Sequence, residues 1–268
     1  MLPRMQPPLL ALDAVTKTFR SSGGSIVRAV SSVSLDIARG ETVALVGESG
    51  SGKSTLGRIA LGLLRPDSGR VMLDGICLGD LSAAELRDAR VAMQPIFQDA
   101  SASLNPRRSV KELLAQALRH HRGSVQARSI DLLDRVGLRP GGQFLPRFPH
   151  ELSGGQRQRL AIARALAMEP HLIIADEPLS GADVSIRGQL LNLLLDIKEQ
   201  QGVAYLMITH DISIARAFAD RVAVMMLGKI VELGPAQIVL TAPTHAYTKQ
   251  LVAAVPTLDA FHGTEPAV

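Results

Sequence analysis

Gly47-Glu48-Ser49-Gly50-Ser51-Gly52-Lys53-Ser54 brings three loop glycines, an ammonium and a hydroxyl together within one short stretch. The run before it, Thr42-Val43-Ala44-Leu45-Val46, is rich in β-branched residues and reads as a buried strand. After it, Leu56, Ile59, Ala60 and Leu63 recur at helical spacing. Strand, glycine loop and helix, in that order, make a phosphate-binding loop. A helix N-terminus leaves backbone N–H groups unpaired and carries the positive end of the macrodipole, so it attracts a polyphosphate. Gly47, Gly50 and Gly52 permit the tight curl that turns successive N–H groups inward. Lys53 reaches the terminal phosphates, Ser54 offers a hydroxyl to Mg²⁺, and Thr55 can add another near the α-phosphate.

Other groups with chemistry stand at the ends of apolar runs. Leu172-Ile173-Ile174-Ala175 reads as a buried strand ending in Asp176-Glu177, where Asp176 would hold Mg²⁺ and Glu177 could polarise a water for attack on a γ-phosphate. The next apolar run, 203–208, ends at Thr209-His210-Asp211. His210 there could donate to the γ-phosphate or its attacking water, although a lone histidine is usually structural. Residues 91–97 form another strand, ending at Gln98-Asp99, and Gln98 either reaches a metal or water or is an ordinary loop glutamine. Phe19, alone in polar surroundings, is either a platform for an adenine ring or an edge residue packed on the sheet. Stacking would contribute roughly 1–3 kcal/mol.

Leu152-Ser153-Gly154-Gly155-Gln156 opens a long helix and is a second glycine-rich helix N-terminus. One chain has only one phosphate loop to satisfy, so a second clamp implies that two chains sandwich the nucleotide. Asp183 is expected to cap the helix 184–200, and the preceding Ser180-Gly181-Ala182 could face a partner subunit.

The elements that must position these groups follow from periodicity and turn residues. Short strands at 9–15, 26–30 and 33–37, separated by Ser21-Ser22-Gly23-Gly24, suggest an edge sheet; Arg65-Pro66-Asp67-Ser68-Gly69 turns into a strand at 70–74. From Ser109 to Gly137 the pattern is helical, with Val110, Leu113, Leu114, Ala117 and Leu118 on one face, a second stretch over 124–136, and Gly137 as a C-cap. This segment carries no strand signal and reads as a helical subdomain inserted in the sheet. Pro140, Gly141, Gly142, Pro146 and Pro149 then mark a loop.

Composition limits the partners. A hydrophobic content of 46% supports a substantial core, no apolar run approaches membrane-spanning length, and Met1-Leu2-Pro3-Arg4-Met5-Gln6-Pro7-Pro8 lacks the apolar centre of a secretion signal. A cytoplasmic chain is expected. Cys77, the single cysteine, excludes an internal disulfide and reads as a small core residue. The +4 charge is spread along the chain and aromatics make up only 3%, which argues against a nucleic-acid face. His120-His121 point about 100° apart on a helix, so they read as a solvated face rather than metal ligands.

With these motifs in order, the chain resembles an ATP-binding-cassette (ABC) ATPase along almost its whole length. The resemblance implies an α/β P-loop NTPase fold: a RecA-like mixed-sheet core, an N-terminal antiparallel β subdomain and an inserted helical subdomain. The implied division is 1–98 for the β edge and phosphate-loop part, 99–151 for the helical subdomain, 152–240 for the signature, acidic-strand and switch region, and 241–268 for a tail. It also implies ATP and Mg²⁺ as cofactors, with Ser54, Asp176 and Gln98 at the metal and Gln98 linking it to transport subunits. Glu177 would be the catalytic base, His210 the switch histidine, Phe19 the adenine-stacking aromatic and Asp183 the D-loop acid. The 152–156 signature would complete the partner's ATP site.

Phe97-Gln98-Asp99 with Ser103-Leu104-Asn105-Pro106-Arg107, and the tail His245-Ala246-Tyr247-Thr248 with Leu251 and Val255-Pro256, are similar to the peptide and nickel importer branch. That branch implies an ATPase paired with a sister cassette, or with itself, beneath two membrane permeases fed by a solute-binding protein. The chain would then sit peripherally on the cytoplasmic face of the inner membrane, with no nucleic acid. Two positions depart from the branch: Ala246 stands where proline is usual, and Gly181-Ala182 where Ala-Leu is usual, which bears on the cross-dimer contact. An exporter ATPase is the nearer rival and a soluble cassette the more distant one. The resemblance implies that cargo is selected on other subunits.

Overall fold

The computed structural model describes residues 7–20, 24–119, 121–180 and 183–254. The expectations at Ser21-Ser22-Gly23, His120, Gly181-Ala182 and Val255-Pro256 lie outside these. The strands are β1 (Leu10–Arg20), β2 (Ile26–Ile37), β3 (Thr42–Val46), β4 (Ser68–Leu73), β5 (Ile76–Cys77), β6 (Met93–Phe97), β7 (Leu172–Asp176), β8 (Ala204–Thr209), β9 (Arg221–Met226) and β10 (Lys229–Pro235). The helices are α1 (Lys53–Ala60), α2 (Ala83–Ala89), α3 (Ala100–Ser103), α4 (Val110–Ala117), α5 (Val125–Arg135), α6 (Gly154–Leu166), α7 (Val184–Gln201), α8 (Ile212–Phe218), α9 (Ala236–Thr241) and α10 (Ala246–Ala253).

An antiparallel sheet has the order β2-β1-β4-β5, and a mixed sheet has the order β10-β9-β3-β8-β7-β6. In the mixed sheet β9, β3, β8, β7 and β6 run parallel, and β10 pairs antiparallel with β9. Strands covered on both faces need apolar residues throughout, which is why β3 and β8 are buried at every position. One face, with Val43, Leu45, Ile174 and Ile208, packs on Leu56 and Ile59 of α1 and on Leu10 and Leu35 of the antiparallel sheet. Behind β6, β7 and β8, Ile173, Tyr205 and Met207 pack on the other face with α6 and α7 through Leu160, Leu190 and Leu194. On that face Ala44 and Val46 of β3 pack with Ile212 of α8 and Val239 of α9. Each such aliphatic side chain contributes about 1.5–3 kcal/mol by leaving water.

Register then aligns the strand ends. Val46 pairs with Thr209, Asp176 with Ile208, and Phe97 with Asp176, so the loops after β3, β6, β7 and β8 leave the sheet at one edge. Ligands gather at that carboxyl edge of open α/β sheets.

Three local expectations need correction. The strands expected at 26–30 and 33–37 are one strand that bulges at Ser31-Ser32: the β1 register passes from Val33 to Val30, Ser32 takes a positive φ of 50° and donates its N–H to Thr16 Oγ1, and Ser31 N–H donates to Gly228. Leu63 lies past the end of α1 and is exposed, since the helix stops at Ala60. Cys77 is half-buried on the short β5 instead of being a core residue.

Between Ala100 and Glu151 the described elements are helical, with no strand among them. Ser109 and Ser124 each accept a bond at a helix start, and Gly137 follows α5 at φ 80°. The apolar faces of α4 and α5, at Leu113, Leu114, Leu132 and Leu133, share one cluster with Leu160 of α6 and Ile173 of β7. Among the described residues no helix is long and apolar enough to cross a membrane.

Candidate functional site

β3 ends at Val46, and the chain turns through Gly47 at φ 150° and Gly52 at φ 109° before entering α1. A Cβ at Gly47 would come within 2.2 Å of the Met225 carbonyl oxygen, and one at Gly52 within 2.1 Å of that of Ala29. Only glycine fits both the dihedral and the space. The curl is fastened from outside by Gly228, whose N–H donates to Ser51 O at 2.9 Å. From inside, Lys53 Nζ donates to Gly47 O and Glu48 O, each at 2.7 Å. Burial pushes the Lys53 ammonium down from its ordinary range, and the carboxylates of Glu177, Asp176 and Glu48 pull the other way.

Ser54 Oγ donates to Asp176 Oδ1 at 3.1 Å, joining the start of α1 to the end of β7. Burial pushes the Asp176 carboxyl up, with the Glu177 charge adding and the Ser54 bond opposing. A hydroxyl and a carboxylate held edge to edge, with Gln98 on the same cleft, are hard oxygen donors of the kind that suit Mg²⁺ alongside phosphate oxygens. No cluster of three or more His, Cys, Asp or Glu able to hold a metal occurs among the described residues. Ser54 Oγ, Asp176 and Gln98 fit an ion that shares its coordination with phosphate oxygens.

Glu177 leaves β7 in the left-handed region at φ 50°, a conformation costing about 1–2 kcal/mol for a residue with a Cβ. Its N–H is held by Ile208 O at 2.9 Å, and its carbonyl accepts from Ser180 Oγ at 2.9 Å. The side chain, 19% exposed, sets Oε1 at 2.7 Å from Nδ1 of His210. His210 is fixed between the end of β8 and Asp211, which bonds Thr209 Oγ1 through its N–H and caps α8 by accepting from Ser213 N–H.

A cleft of about 400 Å³ collects these groups: Ser49, Gly50, Gly52, Lys53, Ser54, Thr55, Gln98 and Glu177 on one side, Val27, Arg28, Ala29, Leu227 and Gly228 on the other. Phe19 flanks it, paired across the strands with Val27, exposed, and with Lys17 Nζ 5.9 Å above its ring.

The ABC transporter family model matches residues 30–180. The chain belongs to the ABC transporter family. Among its relatives, the glutathione import ATP-binding protein GsiA of Salmonella typhimurium is 50% identical over 237 residues, covering 87% of this chain and 38% of that protein. The chain thus spans about two fifths of the length of the GsiA relatives it matches. The probable peptide ABC transporter ATP-binding protein y4tS of Sinorhizobium fredii is 44% identical over 265 residues, 95% of this chain and 74% of the relative. In solved structures, cbiO1 from Clostridium perfringens, part of the ABC transporter complex cbiONQ, superposes with a TM-score of 0.76 at 29% identity, covering 88% of this chain and 92% of that one. The ATP-binding cassette MJ0796, in a dimeric post-hydrolysis state with ADP and Pi, gives 0.76 at 34% identity over 85% and 98%. The α/β phosphate-loop architecture expected of a cassette is the one observed.

In this cassette the 152–156 stretch stands apart from the cleft. Ser153 Oγ accepts from Gln156 N–H and Gln156 Oε1 from Ser153 N–H, a capping box that leaves the N–H groups of Gly154 and Gly155 at the helix start outside it. Asp183 occupies the N-cap position of α7, but its side chain makes no capping bond, contrary to expectation.

Sequence reading missed several residues at or around the site. Leu227 and Gly228 line the cleft on the β9–β10 turn, with φ of 46° and 79°. Gly after Met226-Leu227 was a usable turn signal. Gln158 is buried in α6 and donates through Nε2 to Pro178 O at 2.8 Å, just after Glu177, and to Phe97 O at 3.5 Å, just before Gln98.

Proposed function

We propose that this cassette is the ATP-hydrolysing subunit of an importer for short peptides, glutathione among them, or a related small solute such as a nickel chelate. The observation carrying this is the convergence of Lys53, Ser54, Gln98 and Glu177 on the cleft over the α1 N-terminus, with Asp176 bonded to Ser54 and His210 bonded to Glu177 behind them. The relatives named for glutathione and peptide import supply the cargo class.

The N–H groups of the loop and the Lys53 ammonium bind the β- and γ-phosphates, while Phe19, Val27 and Leu227 flank the base. Ser54, Asp176 and Gln98 would hold Mg²⁺, which would supply positive charge to offset that of the phosphates. Glu177 accepts a proton from the water that attacks the γ-phosphorus as the bond to the β–γ bridging oxygen breaks, releasing ADP and phosphate. His210 fixes the Glu177 carboxylate through Nδ1.

A second cassette, a sister chain or a copy of this one, supplies its 152–156 stretch to the open side of the cleft, with Asp183 facing that partner. ATP then closes the pair, since those contacts exist only in the closed state. Two permeases dock on the cassettes at the cytoplasmic face of the membrane, a solute-binding protein feeds them, and nucleic acid has no part. We divide the chain at 1–98, 99–151, 152–240 and 241–268. Purification of tagged Glu177→Gln from detergent-solubilised membranes with ATP tests the assembly: two multi-span permeases and a cassette are expected, and ribosomal or nucleic-acid partners alone would overturn it.

A further inference from the structure

A phosphate loop works by holding its N–H groups converged before the phosphates arrive, so what holds it matters as much as what it contains. Its first turn, Gly47-Glu48, is held by Lys53 Nζ at both carbonyls. That ammonium has three donors and must also serve the phosphates, so its hold on the loop competes with its task as a ligand.

The other tether comes from the far end of the chain. The N–H of Glu48 donates to the Tyr247 hydroxyl at 2.9 Å, across 199 residues of sequence. Tyr247 opens α10, and its N–H is taken by His245 Nδ1 at 3.2 Å. The start of α10 is pinned to the sheet by Glu232 of β10, whose carboxylate accepts Thr244 N–H at 2.8 Å, Thr244 Oγ1 at 2.9 Å and His245 N–H at 3.1 Å. The Tyr247 side chain packs on the apolar layer containing Val46, the last residue of β3. The connection closes on itself: β3 leads into the loop, the loop is bonded to α10, α10 to β10, β10 to β9, and β9 to β3. Both ends of the support for Glu48 are thus anchored in the same sheet.

We infer that Tyr247 is a positioning residue for the phosphate loop, preorganising the Gly47-Glu48 turn for nucleotide without touching it. The effect on nucleotide rests on the function proposed above; the tether itself does not. A loop that is competent only part of the time binds more weakly in proportion to that fraction.

Tyr247→Phe keeps the ring and removes the hydroxyl. Loss of one hydrogen bond is expected to raise the Kd and KM for Mg·ATP roughly 2- to 10-fold, with kcat and Tm held near wild type. Hydrogen exchange of the nucleotide-free protein over residues 47–51 should accelerate in this variant. Leu251→Ala, which loosens the packing of α10 but keeps the hydroxyl, supplies the contrast: it should lower Tm more than Tyr247→Phe while changing the Kd less. Wild-type exchange over 47–51 in Tyr247→Phe would overturn the tether. Faster exchange with an unchanged Kd would overturn its role in binding, and so would a Kd that tracks Tm across the two variants. A wild-type protein that binds no ATP would instead sink the proposed function, leaving the exchange result to decide the tether.

Discussion

His210 Nδ1 and Glu177 Oε1 lie 2.7 Å apart, although the two residues leave different strands and His210 is itself largely exposed. The contact forms because β7 and β8 are parallel neighbours in a register that ends them together, and because Glu177 turns back at φ 50° with its N–H on Ile208. Held this way, the carboxylate engages the histidine through one oxygen, and in the proposed reaction the other would meet the water.

Glu177→Gln tests the base. The amide is the same size and can still bond His210, but it cannot take a proton. Hydrolysis should fall by about 10²–10⁴-fold while ATP binding survives. Turnover like that of wild type in an ATPase assay would remove Glu177 from the chemistry.

His210→Ala should cost of order 100-fold in kcat if the histidine only orients the carboxylate and its water. Two groups acting as a unit are non-additive, so the Glu177→Gln, His210→Ala double variant should be scarcely slower than Glu177→Gln alone. Multiplicative losses would mean that the two residues act independently.

Lys53→Ala removes a ligand and a brace together, since the ammonium spans Gly47 O and Glu48 O. Losing a charge-assisted bond should weaken Mg·ATP binding about 10- to 150-fold by titration calorimetry. An unchanged Kd would show that the loop binds through its backbone alone.

Much of this site was legible because local chemistry dictates the residue types. A curl that would clash with Met225 and Ala29 demands Gly47 and Gly52, and a buried strand ending in Asp176-Glu177 places its acids at the sheet edge. Tertiary supports were not legible. Gln158 looks like any polar helix residue until the fold brings Phe97 and Pro178 to it, and Tyr247 meets the loop only after the chain has closed the sheet. The two strands expected at 26–30 and 33–37 are one because the chain bulges at Ser31-Ser32 without leaving the sheet, its N–H groups taken by Gly228 O and Thr16 Oγ1, partners that only the tertiary structure supplies. At Asp183 the position was readable but the bond was not, since a cap depends on a rotamer that sequence does not specify.

Gln158→Leu follows from that tertiary support. It would leave the Pro178 carbonyl, a buried acceptor, without its donor, at a cost of about 1–3 kcal/mol. In a chain of this size that lowers Tm by several degrees. Because the bonded carbonyls adjoin Glu177 and Gln98, kcat should fall as well. An unchanged Tm by scanning calorimetry would show that the bridge carries no load.

The acid limb of stability offers a last test, through Glu232. Burial alone would push its carboxyl up, but hydrogen bonds from Thr244 and His245 outweigh this and hold it at about 2, below its ordinary 4.5. A depressed carboxylate stabilises the fold fully above its unfolded pKa, and that contribution is lost as pH falls through the folded one. The Glu232→Gln variant should therefore be less stable than wild type at pH 7, with the gap closing between about pH 4.5 and pH 2. Asp67, held at about 2 by bonds from Lys17 and Thr18, titrates over the same window in both proteins, so the difference between them isolates Glu232. Urea midpoints at pH 7, 4 and 3 measure it. A gap that stays constant across that range would mean that the charge of Glu232 does not anchor α10, and that packing of Tyr247 and Leu251 does so instead.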